Sequence, residues 1–136
     1  MARSKEERIR NANQELLGKG NLELVEDVFA ADYCLHAGGK TATGLDFVRK
    51  FVKQLRKSIP NVRVVDVEIL MSSRDTVAWR RTLRGTHAAS LKGIPASGKR
   101  VEWQDMLVSR FAGGKIAEEW AVSDLAAALM LKLPRA

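Results

Sequence analysis

The spacing of apolar residues changes from a helical to a strand-like pattern at Pro60, and this change limits the folds that are open to the chain. Before Pro60 apolar residues recur every three or four positions, as on one face of a helix, and after it they alternate with polar residues, as in half-buried strands. Helices and strands that are segregated in this way predict an α+β fold with the helices on one face of a sheet. A cavity for a small molecule is expected between the two layers.

Three helices are predicted before Pro60. Ser4 and Glu7 have the spacing of a capping box at the start of the first helix, and Thr43 with Asp46 suggests a cap for the third. The glycine-rich segment between the second and third helices is expected to be irregular. The predicted helices cover about residues 4–18, 21–29 and 43–58, and the irregular segment covers 33–43.

Four consecutive strands are predicted after Pro60. Short turns join two pairs of them, which indicates an antiparallel sheet, and a longer glycine- and proline-containing loop covers residues 88–100. A last helix is expected over about residues 124–133. The predicted strands are 62–71, 76–86, 101–111 and 115–122, and the whole chain, 1–136, is predicted to be a single domain.

Cysteine content and the composition of the N-terminal segment limit the expected cross-links, metal sites and cellular location. Cys34 is the single cysteine, so an internal disulfide and a cysteine-based zinc site are not expected. The first residues are charged rather than apolar, and no apolar run has the ~18 residues of a membrane span, so a cytoplasmic protein is predicted.

The net charge of +7 raises the question of a polyanionic partner. No aromatic residues alternate with the main basic cluster, so it is interpreted as the solvated face of the third helix, and nucleic acid is not the expected partner. Salt-dependent binding to DNA would support the opposite interpretation. The cluster comprises Arg49, Lys50, Lys53, Arg56 and Lys57.

Four segments of the sequence resemble the SnoaL-like polyketide cyclase (ester cyclase) family, within the nuclear transport factor two-like superfamily. The resemblance covers nearly the whole chain, and the third and fourth segments carry most of it. The segments are VFAADY (28–33), IPNVRV (59–64), GTH with KGIPASGK (85–87 and 92–99), and RFAGGKIAEEW (110–120), with Asp124 shortly after.

The resemblance implies a cone-shaped α+β barrel, in which a strongly curved antiparallel sheet wraps around the N-terminal helices and holds a ligand at its open end. It also implies a homodimer and a small hydrophobic carbonyl or polyketide-like ligand. The best-known members close a polyketide ring by intramolecular aldol condensation, with an acidic side chain as general acid/base and with neither metal nor cofactor.

This sequence departs from the family at the catalytic positions. The position of the family's catalytic aspartate is Ala121 here, and the positions of its assisting histidine and glutamine are Leu107 and Asp105. A related type, the limonene-epoxide hydrolases, uses an aspartate–arginine–aspartate arrangement to activate water. Arg80 could match the arginine, but the two aspartate positions are Thr82 and Ala121 here. Neither residue can act as a base, so that mechanism is rejected.

Strand alternation supplies the remaining candidates, since neighbouring residues of a strand point to opposite faces. If position 105 faces the cavity, so do its second neighbours on the third strand, and the corresponding phases are assigned to the second and fourth strands. The residues expected to face the cavity are Trp103, Asp105, Leu107, Ser109 and Phe111; Ala117, Glu119 and Ala121; and Ala78, Arg80 and Thr82. Trp79 and Trp120 are expected to face away and to pack against another subunit or sheet.

Two hypotheses for the function follow. In the first, Asp105 or Glu119 is the proton shuttle of a cofactor-free cyclase, isomerase or lyase, and Arg80 or His87 stabilises negative charge. In the second, Arg80 forms a structural ion pair and the protein is a binding module that has lost the catalytic aspartate. The expected ligand-binding residues are Trp103, Leu107, Ala121, His36 and Asp124.

Several of these candidates have ordinary structural alternatives. Asp124 is also expected to cap the last helix, His87 to be hydrogen-bonded scaffolding, and Cys34 to be a small buried filler. With only two histidines, His36 and His87, and no ligand spacing between them, no metal site is expected.

Overall fold

The fold is a six-stranded sheet with helices on one face, as described by a computed structural model for residues 4–132. The sheet is curved but does not close, because its order β2-β1-β6-β5-β4-β3 leaves β2 and β3 as free edges. The α+β class is confirmed. The strands are β1 (Phe29–Ala37), β2 (Lys40–Thr43), β3 (Arg63–Ser73), β4 (Thr76–Thr86), β5 (Arg100–Ala112) and β6 (Lys115–Ser123).

The four strands predicted after Pro60 are β3 to β6, and each pairs with the next in antiparallel orientation. Burial alternates most regularly along β5, where every second residue from Val101 to Phe111 is buried. The turn between β5 and β6 contains Gly113 and Gly114, both with positive φ, as a tight hairpin turn requires.

The segment expected to be irregular instead forms a hairpin of two strands. Gly38 and Gly39 adopt φ values of 59° and 74° in the turn between β1 and β2, so the glycines mark a turn rather than a loop. β1 then pairs with β6 in parallel orientation, so the sheet is not purely antiparallel. The helical pattern assigned to residues 21–29 hid the start of β1, since Phe29 already belongs to the strand.

The helices follow the predicted order with changes at their ends. Ser4 accepts a hydrogen bond from the amide of Glu7, as expected for the first helix, which continues beyond α1 as a π-helical segment, Asn13–Gly18. The second helix is reduced to a 3-10 turn, Leu22–Leu24, and the short α2. The α-helices are α1 (Lys5–Ala12), α2 (Val25–Val28), α3 (Leu45–Ser58) and α4 (Leu125–Leu131).

Two predicted caps do not form. Gly44, with a φ of 89°, precedes α3 and no side chain caps that helix, so the Thr43–Asp46 cap was wrong. Asp124 precedes α4 but its side chain accepts the amide of Gln104 on β5 at 2.7 Å instead of capping the helix. The aspartate therefore ties the start of α4 to the sheet. The predicted end of that helix, residue 133, lies outside the described residues.

The core lies between the concave face of the sheet and the helices. α1, its π-helical extension and α3 contribute the helical side, and β3 to β6 contribute the sheet side. Within residues 4–132, none of the helices has the length and apolar character needed to cross a bilayer.

Candidate functional site

A cavity of about 630 Å³ lies between the concave face of the sheet and the helices. Its walls are mainly apolar, with side chains such as Leu16, Val52 and Leu107. This volume lies within the range of about 300–1,000 Å³ that is typical of small-molecule pockets. The polar side chains that reach it come mainly from β1, β4, β5, β6 and the π-helical segment: Asn13, Tyr33, Arg81, Asp105 and Glu119.

The predicted alternation agrees with the structure in the middle of β5 and near the end of β6. Phe111 and Ala117, which were also expected to face the cavity, are buried outside its lining, and Ile116 lines it instead, where the pairing of the two strands shifts register. Trp103, Asp105 and Leu107 line the cavity from β5, and Glu119 and Ala121 line it from β6. The two strands are paired so that Leu107 lies opposite Ala121. Side chains directly opposite one another in an antiparallel pair share a face, so these assignments support each other.

The predicted phase of β4 is shifted by one residue. Arg80 is opposite Met106 and lies on the outer face, where it donates to Glu68 at 2.9 Å. Arg81 is opposite Asp105 and faces the cavity, and Trp79, which was expected to face outward, is 2% exposed and also lines it.

The hydrophobic pattern of β4 contains the signal that would have given the correct phase. The buried apolar residues of β4 lie two or four positions apart: Val77, Trp79 and Leu83. Arg81 occupies the position between Trp79 and Leu83 that completes this alternation. The arginine was assigned to position 80 from the resemblance to an epoxide hydrolase rather than from this pattern. A cationic residue in a buried series indicates a charge that is paired inside the cavity.

Arg81 joins a carboxylate to an amide across the cavity. Its Nε donates to Oδ2 of Asp105 at 2.8 Å, and its Nη1 donates to Oδ1 of Asn13 at 3.0 Å. Asn13 in turn donates to the carbonyl of Ile9 at 2.8 Å, which fixes the orientation of its amide. The guanidinium also lies over the ring of Trp79, 5.5 Å from its centre, within the range of a cation–π contact.

One oxygen of Asp105 has no partner. Oδ1 is buried and accepts no hydrogen bond from residues 4–132, whereas Oδ2 is bound by Arg81. A buried carboxylate oxygen without a donor is costly, so such an atom in a cavity marks a place where a ligand or water hydrogen would be bound.

Glu119 is held by two hydroxyl groups. Tyr33 donates to Oε1 at 2.7 Å, and Ser109 donates to Oε2 through a short hydrogen bond. Ser109 also accepts from the indole Nε1 of Trp79 at 2.9 Å. Trp79 therefore contacts both polar clusters, since its ring lies under Arg81 and its indole nitrogen binds Ser109.

Burial raises the pKa values of Glu119 and Tyr33. The loss of solvent raises the pKa of Glu119, and the hydrogen bonds from Ser109 and Tyr33 and the charge of Arg81 oppose that rise only in part. Burial, followed by the adjacent carboxylate of Glu119, raises the pKa of Tyr33 far above its usual range. The Tyr33 hydroxyl therefore remains a hydrogen-bond donor, and Glu119 can hold a proton at a pH where an exposed glutamate cannot.

The structure places three other candidate residues away from this cavity. His87 is fully buried beyond its lining, and neither ring nitrogen has a hydrogen-bond partner among residues 4–132. His36 lies on the other side of the sheet, where its ring stacks on Trp120, and Asp124 is exposed. Trp120 is 42% exposed on that outer face, as expected.

Sequence reasoning missed Tyr33, Asn13, Ser109 and Arg81 as polar groups around the carboxylates. Tyr33 was placed in an irregular segment, and Asn13 interrupts the apolar stripe of the first helix without any motif around it. Ser109 was expected to face the cavity but is buried outside its lining, and its contact with Glu119 gives it a role. A polar residue inside an apolar stripe is the signal that pattern analysis offers for such positions.

Comparison with known proteins agrees with the fold. The family description SnoaL-like polyketide cyclase matches residues 7–130. A search of curated proteins finds no match to the sequence. Solved structures with a similar fold include a candidate SnoaL-like polyketide cyclase from Jannaschia sp. CCS1, which is 22% identical with a TM-score of 0.83 and 99% of each chain covered.

Two other similar structures come from Streptomyces. IdmH of Streptomyces antibioticus, described as a candidate polyketide cyclase, is 21% identical with a TM-score of 0.81, over 96% of this chain and 98% of that one. AclR of Streptomyces galilaeus, described as a candidate hydroxylase, is 28% identical with a TM-score of 0.72, over 97% of this chain and 89% of that one. Since the family match extends over most of the chain and the fold agrees with it, this protein belongs to the SnoaL-like polyketide cyclase family.

Proposed function

We propose that this protein binds a small, largely apolar carbonyl compound in its cavity and catalyses a proton transfer on it without a cofactor, as a cyclase, isomerase or lyase. The observation that carries the proposal is Oδ1 of Asp105, a buried carboxylate oxygen in the cavity that has no partner among the described residues. A carbon acid bound against this oxygen would find both a hydrogen-bond acceptor and a base.

The position of Asp105 supports this role. The family resemblance would place the catalytic aspartate at Ala121, which lies opposite Leu107 on the neighbouring strand. Asp105 is two residues from Leu107 on the same face, so it is the diagonal neighbour of the vacated position, about 7–8 Å away between backbones. A carboxylate on β5 can therefore serve the same region of the cavity as one on β6.

The other polar groups have supporting roles in the proposal. Arg81 binds Oδ2 of Asp105 and provides positive charge where an enolate would form, in place of the Arg80 of the sequence hypothesis. Glu119, with its raised pKa, holds a proton that can be delivered to the developing oxyanion. His87 is left out, since it lies outside the cavity lining.

The test is exchange of the α-hydrogens of a model ketone, which requires no knowledge of the natural substrate. 2-Tetralone, a bicyclic ketone with a fused benzene ring, is incubated with the protein in D₂O and its α-deuteration is followed by NMR. The wild-type protein is expected to accelerate exchange, and Asp105→Asn is expected to reduce this acceleration by about 10²-fold or more, which starts at the lower end of what a positioned base contributes.

The control is Glu102→Gln, which neutralises an exposed carboxylate on the same strand that pairs with Arg84. It is expected to exchange at the wild-type rate. If the ketone binds but neither wild type nor variant accelerates exchange, the second hypothesis, a binding module without a catalytic base, replaces the enzyme. Binding is measured separately through quenching of the fluorescence of the cavity tryptophans, Trp79 and Trp103.

The proposal also includes a homodimer and a location in the cytoplasm. The outer face of the sheet carries exposed apolar side chains that a second copy would cover, including Met106, Trp120 and Val122. A lone thiol, Cys34, is compatible with a reducing compartment. Light scattering tests the first point and cell fractionation the second.

A further inference from the structure

Three side chains of types that bind metals meet on the outer face of the sheet, where β1 and β6 pair. Cys34 and His36 lie two residues apart on β1, and Glu118 lies opposite Cys34 on β6. Sγ of Cys34 is 3.6 Å from Nε2 of His36, and this nitrogen is 2.6 Å from Oε2 of Glu118. All three ligand atoms lie within 4.8 Å of one another.

The histidine ring is held so that Nε2 faces the other two groups. Its Nδ1 lies 3.2 Å from Oγ1 of Thr41 on β2, and its ring stacks on Trp120 with centres 5.4 Å apart and an angle of 21°. A hydrogen bond at the far nitrogen is the usual way in which proteins orient a metal-binding histidine and fix its tautomer. The ring is therefore oriented before any metal is bound.

The spacing suits a tetrahedral ion. With Zn–S of about 2.3 Å and Zn–N of about 2.1 Å, a tetrahedral angle gives a sulfur–nitrogen distance of about 3.6 Å. The distance between Cys34 and His36 has this value. Oε2 of Glu118 is closer to Nε2 of His36 than two ligands of one ion can be, because the two atoms are hydrogen-bonded. The carboxylate must therefore move away by roughly 1 Å or less, by the same bond lengths.

The remaining charges leave one carboxylate oxygen for a metal. Arg110 donates to Oε1 of Glu118 at 3.2 Å, and Oε2 faces His36.

We propose that Cys34, His36 and Glu118 form a binding site for Zn²⁺ that joins β1 to β6. Sequence spacing alone predicted no metal site, because the third ligand is supplied by strand pairing and not by a local motif. One sulfur, one imidazole nitrogen and one carboxylate oxygen are a ligand set that suits zinc and not magnesium or calcium. On binding, the ion replaces the thiol hydrogen of Cys34, and that proton leaves to solvent. His36 stays neutral, with its one ring hydrogen on Nδ1 toward Thr41 and its unprotonated Nε2 on the ion.

The site is separate from the cavity. Glu119, the next residue on β6, points to the opposite face of the sheet, where Tyr33 and Ser109 bind it. Three protein ligands would leave a fourth position of a tetrahedral ion for a water molecule. The ion would stabilise a parallel strand pair whose register already shifts between Phe29 and Cys34.

The test is titration of the full chain, freed of metal by a chelator, with Co²⁺ as a spectroscopic substitute for Zn²⁺. A thiolate-to-cobalt charge-transfer band and intense tetrahedral d–d bands are expected, and Zn²⁺ is expected to displace them. His36→Gln and Glu118→Gln are each expected to weaken binding by more than about tenfold, since even groups that only orient ligands contribute that much.

The control variant is Glu68→Gln, which removes an exposed carboxylate on the same outer face that pairs with Arg80. It is expected to bind Co²⁺ as the wild type does. The melting temperature is followed as well, to detect a misfolded variant: Zn²⁺ should raise it for wild type and control, and Mg²⁺ should not.

Two outcomes would overturn the proposal. The first is the absence of a charge-transfer band in the folded wild-type protein at millimolar Co²⁺. The second is a band that persists unchanged in His36→Gln and Glu118→Gln, because the thiol of Cys34 would then be binding cobalt on its own.

Discussion

At the scale of single residues, adjacent arginines on β4 have different surroundings. Arg81 and Asp105 form an ion pair whose side chains are only 13% and 9% exposed, whereas the pair of Arg80 and Glu68 is 38% and 47% exposed. Breaking a buried pair leaves an uncompensated charge, while exposed pairs contribute little. The two residues therefore provide a direct comparison of the two faces of the sheet.

We expect Arg81→Gln to lower the free energy of unfolding by about 3–5 kcal/mol, because Asp105 would remain buried without its partner. Arg80→Gln should change it by no more than about 0.5 kcal/mol, as for most surface substitutions. Urea denaturation of both variants at neutral pH measures the difference. Equal losses in the two variants would contradict the assignment of Arg81 to the cavity side.

Glu119 should give the folded protein a characteristic pH dependence. Burial raises its pKa, so above the ordinary carboxyl pKa the folded protein retains a proton that the unfolded chain has released. The stability from this group is complete below the unfolded-state pKa and is lost as the pH rises through the raised folded-state value. Glu119→Gln removes the titration, so its unfolding free energy should fall less steeply with pH in this window.

The measurement is a series of urea unfolding curves from the ordinary carboxyl range up to neutral pH. Glu102→Gln serves as control, since it also replaces a glutamate by glutamine but on the exposed side of the β5–β6 region. Its slope with pH should follow the wild type. Parallel slopes for Glu119→Gln and wild type would show that Glu119 titrates normally.

At the scale of elements, two of the segments that carry the family resemblance meet at one end of the sheet. Asn61, in the IPNVRV segment, accepts the amide of Thr86 at 2.7 Å and donates to its hydroxyl at 3.1 Å. Gly85 of the GTH segment packs against Ile59. These motifs thus connect the end of α3 to β4, and His87 is buried beside them outside the cavity lining. They identify the fold and not the chemistry.

Gly85→Ala tests this packing. A methyl group at position 85 would lie 2.1 Å from Cγ2 of the fully buried Ile59, so the contact must shift. We expect a loss of about 1–3 kcal/mol, the usual cost of overpacking a core. Gly18→Ala is the control, because its nearest neighbour would be at 3.6 Å, and it should change stability by less than about 1 kcal/mol. Thermal unfolding of the two variants would refute the argument if both were equally stable.

At the scale of the whole molecule, the sequence predicted what depends on local spacing. The α1 and α3 helices and strands β3 to β6 follow from hydrophobic periodicity, and their order implies the α+β class. The hairpin of β1 and β2 was not predicted, because β1 pairs in parallel with β6, which is about 80 residues away along the chain. The same non-local pairing creates the contacts of Tyr33 with Glu119 and of His36 with Glu118, which no spacing along the chain encodes.

The outer face of the sheet provides the last prediction, which concerns assembly. Met71, Met106 and Val122 are between 47% and 69% exposed, and strand pairing places Met106 opposite Val122 on the same face. An apolar patch of this kind on a sheet is typical of a protein interface. We therefore expect a homodimer that Val122→Lys disrupts, because a second copy would have to bury the lysine's charge.

The control is Met130→Lys, which places the same charge at a 62% exposed apolar residue on α4. Light scattering over a range of concentrations should give a dimer for wild type and Met130→Lys and a monomer for Val122→Lys. A monomeric wild type would remove the dimer altogether. Dissociation by Met130→Lys and not by Val122→Lys would move the interface to α4, and the outer face of the sheet would then remain open to solvent at the zinc-binding groups of β1 and β6.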